Sequence, residues 1–459
     1  MEVTVDPAGE VKTIAEALAK VNAKGTVKVL AGTYAEALEI TKPVTIVGPN
    51  AGKSGLAEDR AEEAVIDGSI VIKAEDVTID GVKLEANANV EFQAGKAEIV
   101  NVYSLASNCI VTADINRTAV LYATAEVSDI VVKDSYFNIG DGSYLKGVWA
   151  SAKVVSNITF EGNYFTHNNT DNKSISDCIA MYAVAGELNF NNNHFVWVTD
   201  DWDLFIGYNS NDCTKVNIVN NTFDGVGELY TCGNTIRRLK SGAVCNVIGN
   251  VFNTLSGTIF SSNSSEAGAV INFEYNAYTN CSYKQGATDA TCNYVNNYYA
   301  LAQTTATSDY GVITSKEALD EAYKASRAKV ASIVFAEAGF ENAENFTSIA
   351  VGDVVVSADQ NGGSNPPKYY NSGTNVRIYT NNKVTFKAEA GYAVKSVKIT
   401  FTSSYEVNEE CTLTNCAYEV VDGAYVFTPV DGASEFGFAN TKGSGQIRIT
   451  AIEITYGAA

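Results

Sequence analysis

The sequence predicts an all-β protein: a right-handed parallel β-helix (solenoid) with capping helices, followed by a small antiparallel β-sandwich. Three observations predict it. First, a strand phrase that ends in an asparagine turn and an aromatic recurs six times, from Ile158-Thr159-Phe160-Glu161-Gly162-Asn163-Tyr164-Phe165 to Cys292-Asn293-Tyr294-Val295-Asn296-Asn297-Tyr298-Tyr299. Its turn asparagines, Asn163, Asn193, Asn221, Asn250, Asn276 and Asn297, lie between 21 residues (276 to 297) and 30 residues (163 to 193) apart, a period that marks a solenoid. Second, 36 glycines and 25 tyrosines stand against 6 prolines and 2 histidines, a palette of strands joined by polar turns. Third, the repeat stops after Tyr299, and from about Asn345 short strands follow at irregular spacing, as in a sandwich.

At 459 residues, 46% hydrophobic and 19% charged, the chain has room for two or three domains. The spacing divides it into residues 1–300, a β-helix with an N-terminal cap helix; 301–344, a capping helix and linker; and 345–459, the sandwich. The net charge of −21 comes from 53 acidic and 32 basic residues without a basic stripe. That excludes nucleic acid as a partner, because phosphates need clustered cations. Nine cysteines form no CxxC pair, so no metal site or cofactor is expected. Cys245 and Cys292 fall on the inward phase of the repeat, and only Cys411 and Cys416 are near enough in sequence for a local disulfide. No apolar run is long enough for membrane insertion. The opening Met1-Glu2-Val3-Thr4-Val5 has no secretory pattern. Either a signal has been removed, or the protein reaches its place by another route, such as assembly into a virus particle.

In chain order, residues 10–22 carry apolar residues at helical spacing, a short helix that covers the first coil's open edge. Short strands follow at Thr26–Leu30, Ala37–Ile40 and Val44–Gly48. Gly48-Pro49-Asn50-Ala51-Gly52-Lys53-Ser54 imitates a phosphate-binding loop, but the position of its first glycine is Val47 and no helical stripe follows, so it reads as an exposed loop. Further coils pass through Ala64–Gly68, Val77–Val82, Ala97–Val100 and Ile130–Phe137. Asparagine suits the recurring turn because it tolerates left-handed backbone angles and its amide can bond along the stack. Ser315–Lys324 is a second helix, with Ser315 at its N-cap.

Between the phrases lies another set of strands. Aligned by phase, they are Gly147-Val148-Trp149, Cys178-Ile179-Ala180, Leu204-Phe205-Ile206, Thr235-Ile236-Arg237 and Thr258-Ile259-Phe260. This register stacks Lys146, Asp177, Asp203 and Asn234, one per coil at about 4.8 Å, with Tyr182, Tyr208 and Leu239 in a neighbouring row.

Thr13-Ile14-Ala15-Glu16-Ala17, Gly32-Thr33-Tyr34 and Ile40-Thr41-Lys42-Pro43-Val44-Thr45-Ile46-Val47-Gly48 resemble the cap and first coils of the pectin lyase-like parallel β-helix superfamily. With the repeats, the resemblance covers residues 10–300. It implies the fold but not one activity, since the superfamily holds lyases, hydrolases, esterases, phage tailspikes and adhesins. The esterase motifs are absent, and no lyase motif matches residue by residue. Asn365-Pro366-Pro367-Lys368-Tyr369-Tyr370-Asn371 and Gly445-Gln446-Ile447-Arg448-Ile449-Thr450-Ala451-Ile452-Glu453-Ile454 resemble small carboxy-terminal modules of Bacteroidetes surface proteins and of phages that infect those hosts.

Two function classes remain. One is an extracellular, cell-surface or virion-surface protein with a structural or adhesive role. It would bind polysaccharide or cell-surface glycan through Trp149, Asp177, Tyr182, Trp202, Asp203, Tyr208 and Arg237, with a homotrimer or other viral or surface structural proteins as partners. Aromatics there can stack on sugar rings. The alternative is a polysaccharide lyase or glycoside hydrolase. Asp177 and Asp203 would be a hydrolytic carboxyl pair, with Arg237 or Lys146 holding an acidic sugar. A lyase would instead use calcium on Asp200, Asp201 and Asp203.

Overall fold

The computed structural model of the protein describes residues 1–106, 110–112, 117–139, 146–166, 177–197, 202–225, 230–231, 233–256, 259–281, 288–301, 312–421, 423–430, 432–443 and 445–458. It forms two compact units, Met1–Asp320 and Glu321–Ala459.

The first unit is a parallel β-helix, the architecture implied by the pectin lyase-like resemblance. Near its start lies the short helix Ile14–Lys20. The Thr13 hydroxyl caps it by accepting the Glu16 N–H at 3.1 Å, and the Glu36 carboxylate accepts the N–H groups of Ile14 and Ala15 at 2.7 and 3.0 Å. Two of the donors that a helix start leaves open are thus satisfied by a side chain 21 residues away or more. Ile14, Ala17 and Leu18 face the core.

Successive coils stack in parallel. One inward column runs Val3, Val27, Ile46, Ile79, Ile99, Val132, Phe160, Phe190, Ile218, Val247, Phe273, Tyr294. A second sheet contributes a column of rings, Phe137, Phe165, Phe195, Phe223, Phe252, Tyr278 and Tyr299, with centroids 4.8 to 5.7 Å apart. From Phe165 on, these are the closing aromatics of the repeated phrase, and Phe137 extends the column by one coil. Slipping any strand by one residue would turn its column member outward, so both columns hold the register. Among the described strands of the β-helix, the one antiparallel pairing joins Ile110–Thr112 to Arg117–Ala123. The segment Gly48–Ser54 is a turn, in which Lys53 bonds Asp59 at 2.9 Å and no helix follows.

The turn asparagines form a buried ladder. From Asn163 to Asn276, each Nδ2 donates to the Oδ1 of the next ladder asparagine at 3.0 to 3.1 Å and to a backbone carbonyl of the preceding coil at 2.7 to 2.9 Å. Each Oδ1 also accepts the backbone N–H of the asparagine one coil earlier. Ser135 continues the column, its N–H bonding Asn163 Oδ1 at 3.0 Å. One part of the expectation is corrected. The left-handed residue is the one before each ladder asparagine: Gly162, Asn192, Asn220, Gly249, Tyr275 and Asn296, at φ of 52° to 67°. The ladder asparagine is selected for its amide.

The second unit is built from two antiparallel sheets around one core. The last strand, Gln446–Ala458, is central to the larger sheet and pairs with Asn375–Tyr379, Tyr392–Phe401 and Lys329–Val334. That last pairing places Lys329–Val334 within this unit, although the sequence expectation put it in the linker 301–344. A single strand there carries too little periodicity to be told from linker. The helix Lys316–Ser326 straddles the division between the units. Cys411 and Cys416 are not joined. Cys411 Sγ lies 3.7 Å from Asn408 Oδ1, and Cys416 Sγ donates to the Gly437 carbonyl at 3.2 Å.

The ladder gives the first prediction. Asn221→Ala leaves the Asn193 N–H, the Phe190 carbonyl and two neighbouring amides short of a partner in the core, at a cost of about 3 to 5 kcal/mol. Asn217→Ala, on the half-exposed outer face of the same coil, costs below about 1 kcal/mol. Denaturant unfolding of the two variants checks the difference.

Candidate functional site

Three long strands, Lys146–Glu161, Ile179–Asn191 and Trp202–Val219, run along one face of the β-helix and continue onto the next. At the corner, Met181 pairs with Ile206 but Ala183 with Ser210, so the third strand carries two more residues than its neighbour (206 to 210 against 181 to 183). Such a bulge bends a strand and re-aims a side chain. Gly207 takes φ of 77°, and a Cβ there would meet the Arg237 carbonyl oxygen at 2.6 Å. Beside it, Tyr208 projects outward, 45% exposed. The bulge is held by buried Asn211, whose Nδ2 donates to the Arg237 carbonyl at 2.9 Å, and by Arg238, whose Nη1 donates to the Asn209 carbonyl at 2.8 Å.

Tyr182, Phe205, Tyr208 and Arg237 meet at this corner. The Tyr182 and Tyr208 rings are edge to face at 5.2 Å, and Phe205 lies 5.7 and 5.6 Å from them. The guanidinium carbon of Arg237 sits 5.0 Å from the Phe205 centroid and 5.4 Å from that of Tyr208. Its buried Nε has no hydrogen-bond partner, and no carboxylate pairs with it among the described residues. The result is a cation held on two rings, without an acid partner among the described residues, beside an exposed tyrosine.

The structure brings together Tyr182, Tyr208 and Arg237, and adds Phe205, which the sequence reading placed in a strand but not in the site. Trp149 is corrected. It is fully buried, 5.3 Å from Phe92 and 5.9 Å from Phe160 in the core. The reason is register: Trp149 pairs with Ile179, then Leu204, Asn234 and Phe260, one residue away from the phase alignment at each of the first three steps. One residue of slip exchanges faces. Asn234 likewise leaves the acidic row and lies between Leu204 and Phe260, where both its amide atoms lack partners. A further irregularity at Asp203, between the pairs Trp202 with Gly233 and Leu204 with Asn234, adds to the slip. Leu239 is a core residue, not a neighbour of Tyr208 on the surface.

Asp177 and Asp203 are 3% and 1% exposed. The Cys178 thiol is pushed well up first by burial and further by the charges of Asp203 and Asp177. The side chains of Lys146 and Trp202, with all of Asp200 and Asp201, lie outside the described residues. Among the described residues, no group of three metal-ligating side chains occurs.

The sequence reading also passed over a second row of amides. Thr159, Asn189, Asn217, Asn246, Asn272 and Asn293 are in register on the outer face. Each amide from Asn217 on donates to the one before it at 2.7 to 2.9 Å. Its signal was present, since each of these asparagines stands four positions before a ladder asparagine.

No known protein-family pattern matches the chain, and no curated protein matches it. Among solved structures, it is similar to the tailspike protein of Acinetobacter baumannii bacteriophage Fri1, a capsular polysaccharide depolymerase. The identity is 10% over 100% of this chain and 84% of that one, with a TM-score of 0.31. The tailspike of Acinetobacter phage vB_ApiP_P1 gives 10%, 99%, 86% and 0.31 for the same four quantities. The pectin methylesterase of Aspergillus niger gives 12%, 70%, 95% and 0.28. At these scores the likeness carries nothing about the site.

Gly207→Ala tests the bulge. The left-handed φ and the close carbonyl together cost about 2 kcal/mol or more. Thermal unfolding reads the loss, and solvent exposure of Tyr208 by fluorescence quenching is expected to change with it.

Proposed function

We propose that the protein is a glycan-binding β-helix protein that works at a virion or cell surface, and that the Tyr182, Phe205, Tyr208 and Arg237 corner receives an acidic saccharide. The observation that carries this reading is the unneutralised guanidinium of Arg237 on its two rings. The chain carries a net charge of −21, yet no carboxylate among the described residues pairs with this guanidinium. A fixed cation without one favours an anionic ligand, and a planar guanidinium suits a carboxylate. Tyr208 offers an exposed ring for the apolar face of a pyranose. The cluster is packed before any ligand arrives, so little side-chain freedom is lost on binding.

Binding is favoured over turnover by the placement of the acids. Asp177 and Asp203, the pair a hydrolytic reading needs, are almost wholly enclosed, and an acid catalyst has to reach the glycosidic oxygen.

Equilibrium binding of the full chain to polygalacturonate, with neutral dextran as control, tests the reading. Arg237→Gln is expected to weaken polygalacturonate binding about tenfold or more, the loss of one charge-assisted contact. Tyr208→Ala should lower it several-fold with the fold intact by circular dichroism. Wild-type affinity in both variants, or equal affinity for dextran, would sink the proposal.

A further inference from the structure

The second unit carries a cationic surface that the corner site does not explain. Lys368 pairs with Arg377, and Arg377 with Arg448, so the three occupy one row across three neighbouring antiparallel strands. Directly opposed residues share a face, with Cβ atoms about 5 Å apart, and like charges so placed destabilise a sheet. Nothing nearby offsets the repulsion: among the described residues no carboxylate pairs with any of the three. An acidic protein has every opportunity to place a glutamate in such a row, and this one places three cations.

Both guanidiniums are fixed in position. The Arg377 carbon lies 3.9 Å from the centroid of Tyr370, and that of Arg448 lies 3.6 Å from Tyr405. The Tyr370 hydroxyl is tied in turn to that of Tyr379 at 3.1 Å. The Nε atoms of Arg377 and Arg448 are buried without hydrogen-bond partners, as is Oε1 of Gln446 in the adjoining row. Buried donors are nearly always paired in folded proteins, yet these two Nε groups are not, and both arginines are only half-buried, so the rest of each side chain meets solvent. Lys368 and Tyr370 belong to the phrase 365–371, and Gln446 and Arg448 to the phrase 445–454, the two stretches that stand out in the sequence of this unit. The strand Asn375–Tyr379 lies between them and joins them into one surface.

We propose that Lys368, Arg377 and Arg448 form a second anion-binding site, which takes the carboxylate or sulfate groups of an acidic polysaccharide independently of Arg237. The two forks accept one planar or tetrahedral oxyanion between them, Lys368 meets a second, and the Gln446 amide receives a sugar hydroxyl. Three cations are too short a row for a duplex, and the chain's overall charge repels one.

The test uses the full-length Arg237→Gln protein, so that the corner site is disabled and the two proposals can fail separately. It is titrated with polygalacturonate, dextran sulfate, neutral dextran and a thymidine oligonucleotide. Expected is binding to at least one acidic polysaccharide, tighter than to the oligonucleotide, and none to dextran; the two acidic probes separate carboxylate from sulfate. Adding Arg377→Gln and Arg448→Gln should weaken that binding about tenfold or more, while the Tm stays equal or rises because a repulsion is removed. Adding Arg377→Lys and Arg448→Lys instead should keep part of the affinity. The proposal is overturned by any of four results: no acidic polysaccharide binds, the glutamine variant binds as its parent does, the lysine variant binds no better than the glutamine one, or the oligonucleotide is preferred.

Discussion

A buried amide must be paired on both its oxygen and its nitrogen, and the β-helix depends on that requirement. At each turn one asparagine accepts from the coil before it, donates to the coil after it, and closes a backbone carbonyl left open by the bend. A coil shifted by one residue would bury those groups unpaired, each costing about 1 to 3 kcal/mol. The aromatic that follows packs on its counterparts above and below. Polar and apolar restraints therefore enforce one register through the coils that carry the phrase.

That rigidity explains what can be read from the sequence. From Ile158 to Tyr299 each coil repeats both the amide and the ring, so the fold, the ladder and the inward aromatic column are legible without coordinates. The face carrying Trp149, Ile179 and Leu204 has no such marker. Its strands are separated by stretches of unequal length, and two irregularities, at Asp203 and at Gly207 to Asn209, shift the phase within a strand. Phase counting then puts Trp149 on the surface when it belongs to the core. Tyr182, Tyr208 and Arg237 were nonetheless legible as neighbours. The bulge that brings Phe205 beside them was not, because only one strand of the set contains the extra residues.

The two units, though unrelated in architecture, use one device: an arginine laid on an aromatic ring with no acid paired to it among the described residues. Aromatic contact fixes a guanidinium without neutralising it, whereas a salt bridge would do both. In the corner of the β-helix the device depends on a left-handed glycine, and on the sheet of the second unit it tolerates like charges face to face. Both arrangements forgo stability that an ordinary surface would keep, which is the pattern expected of binding sites rather than of scaffold.

The most direct test of this account is a crystal structure of the full chain soaked with a short oligogalacturonate. Expected is a carboxylate within hydrogen-bond distance of the Arg237 guanidinium and a sugar ring against Tyr208, with the asparagine ladder unmoved. An oligosaccharide ordered elsewhere on the β-helix, leaving Arg237 untouched, would contradict it.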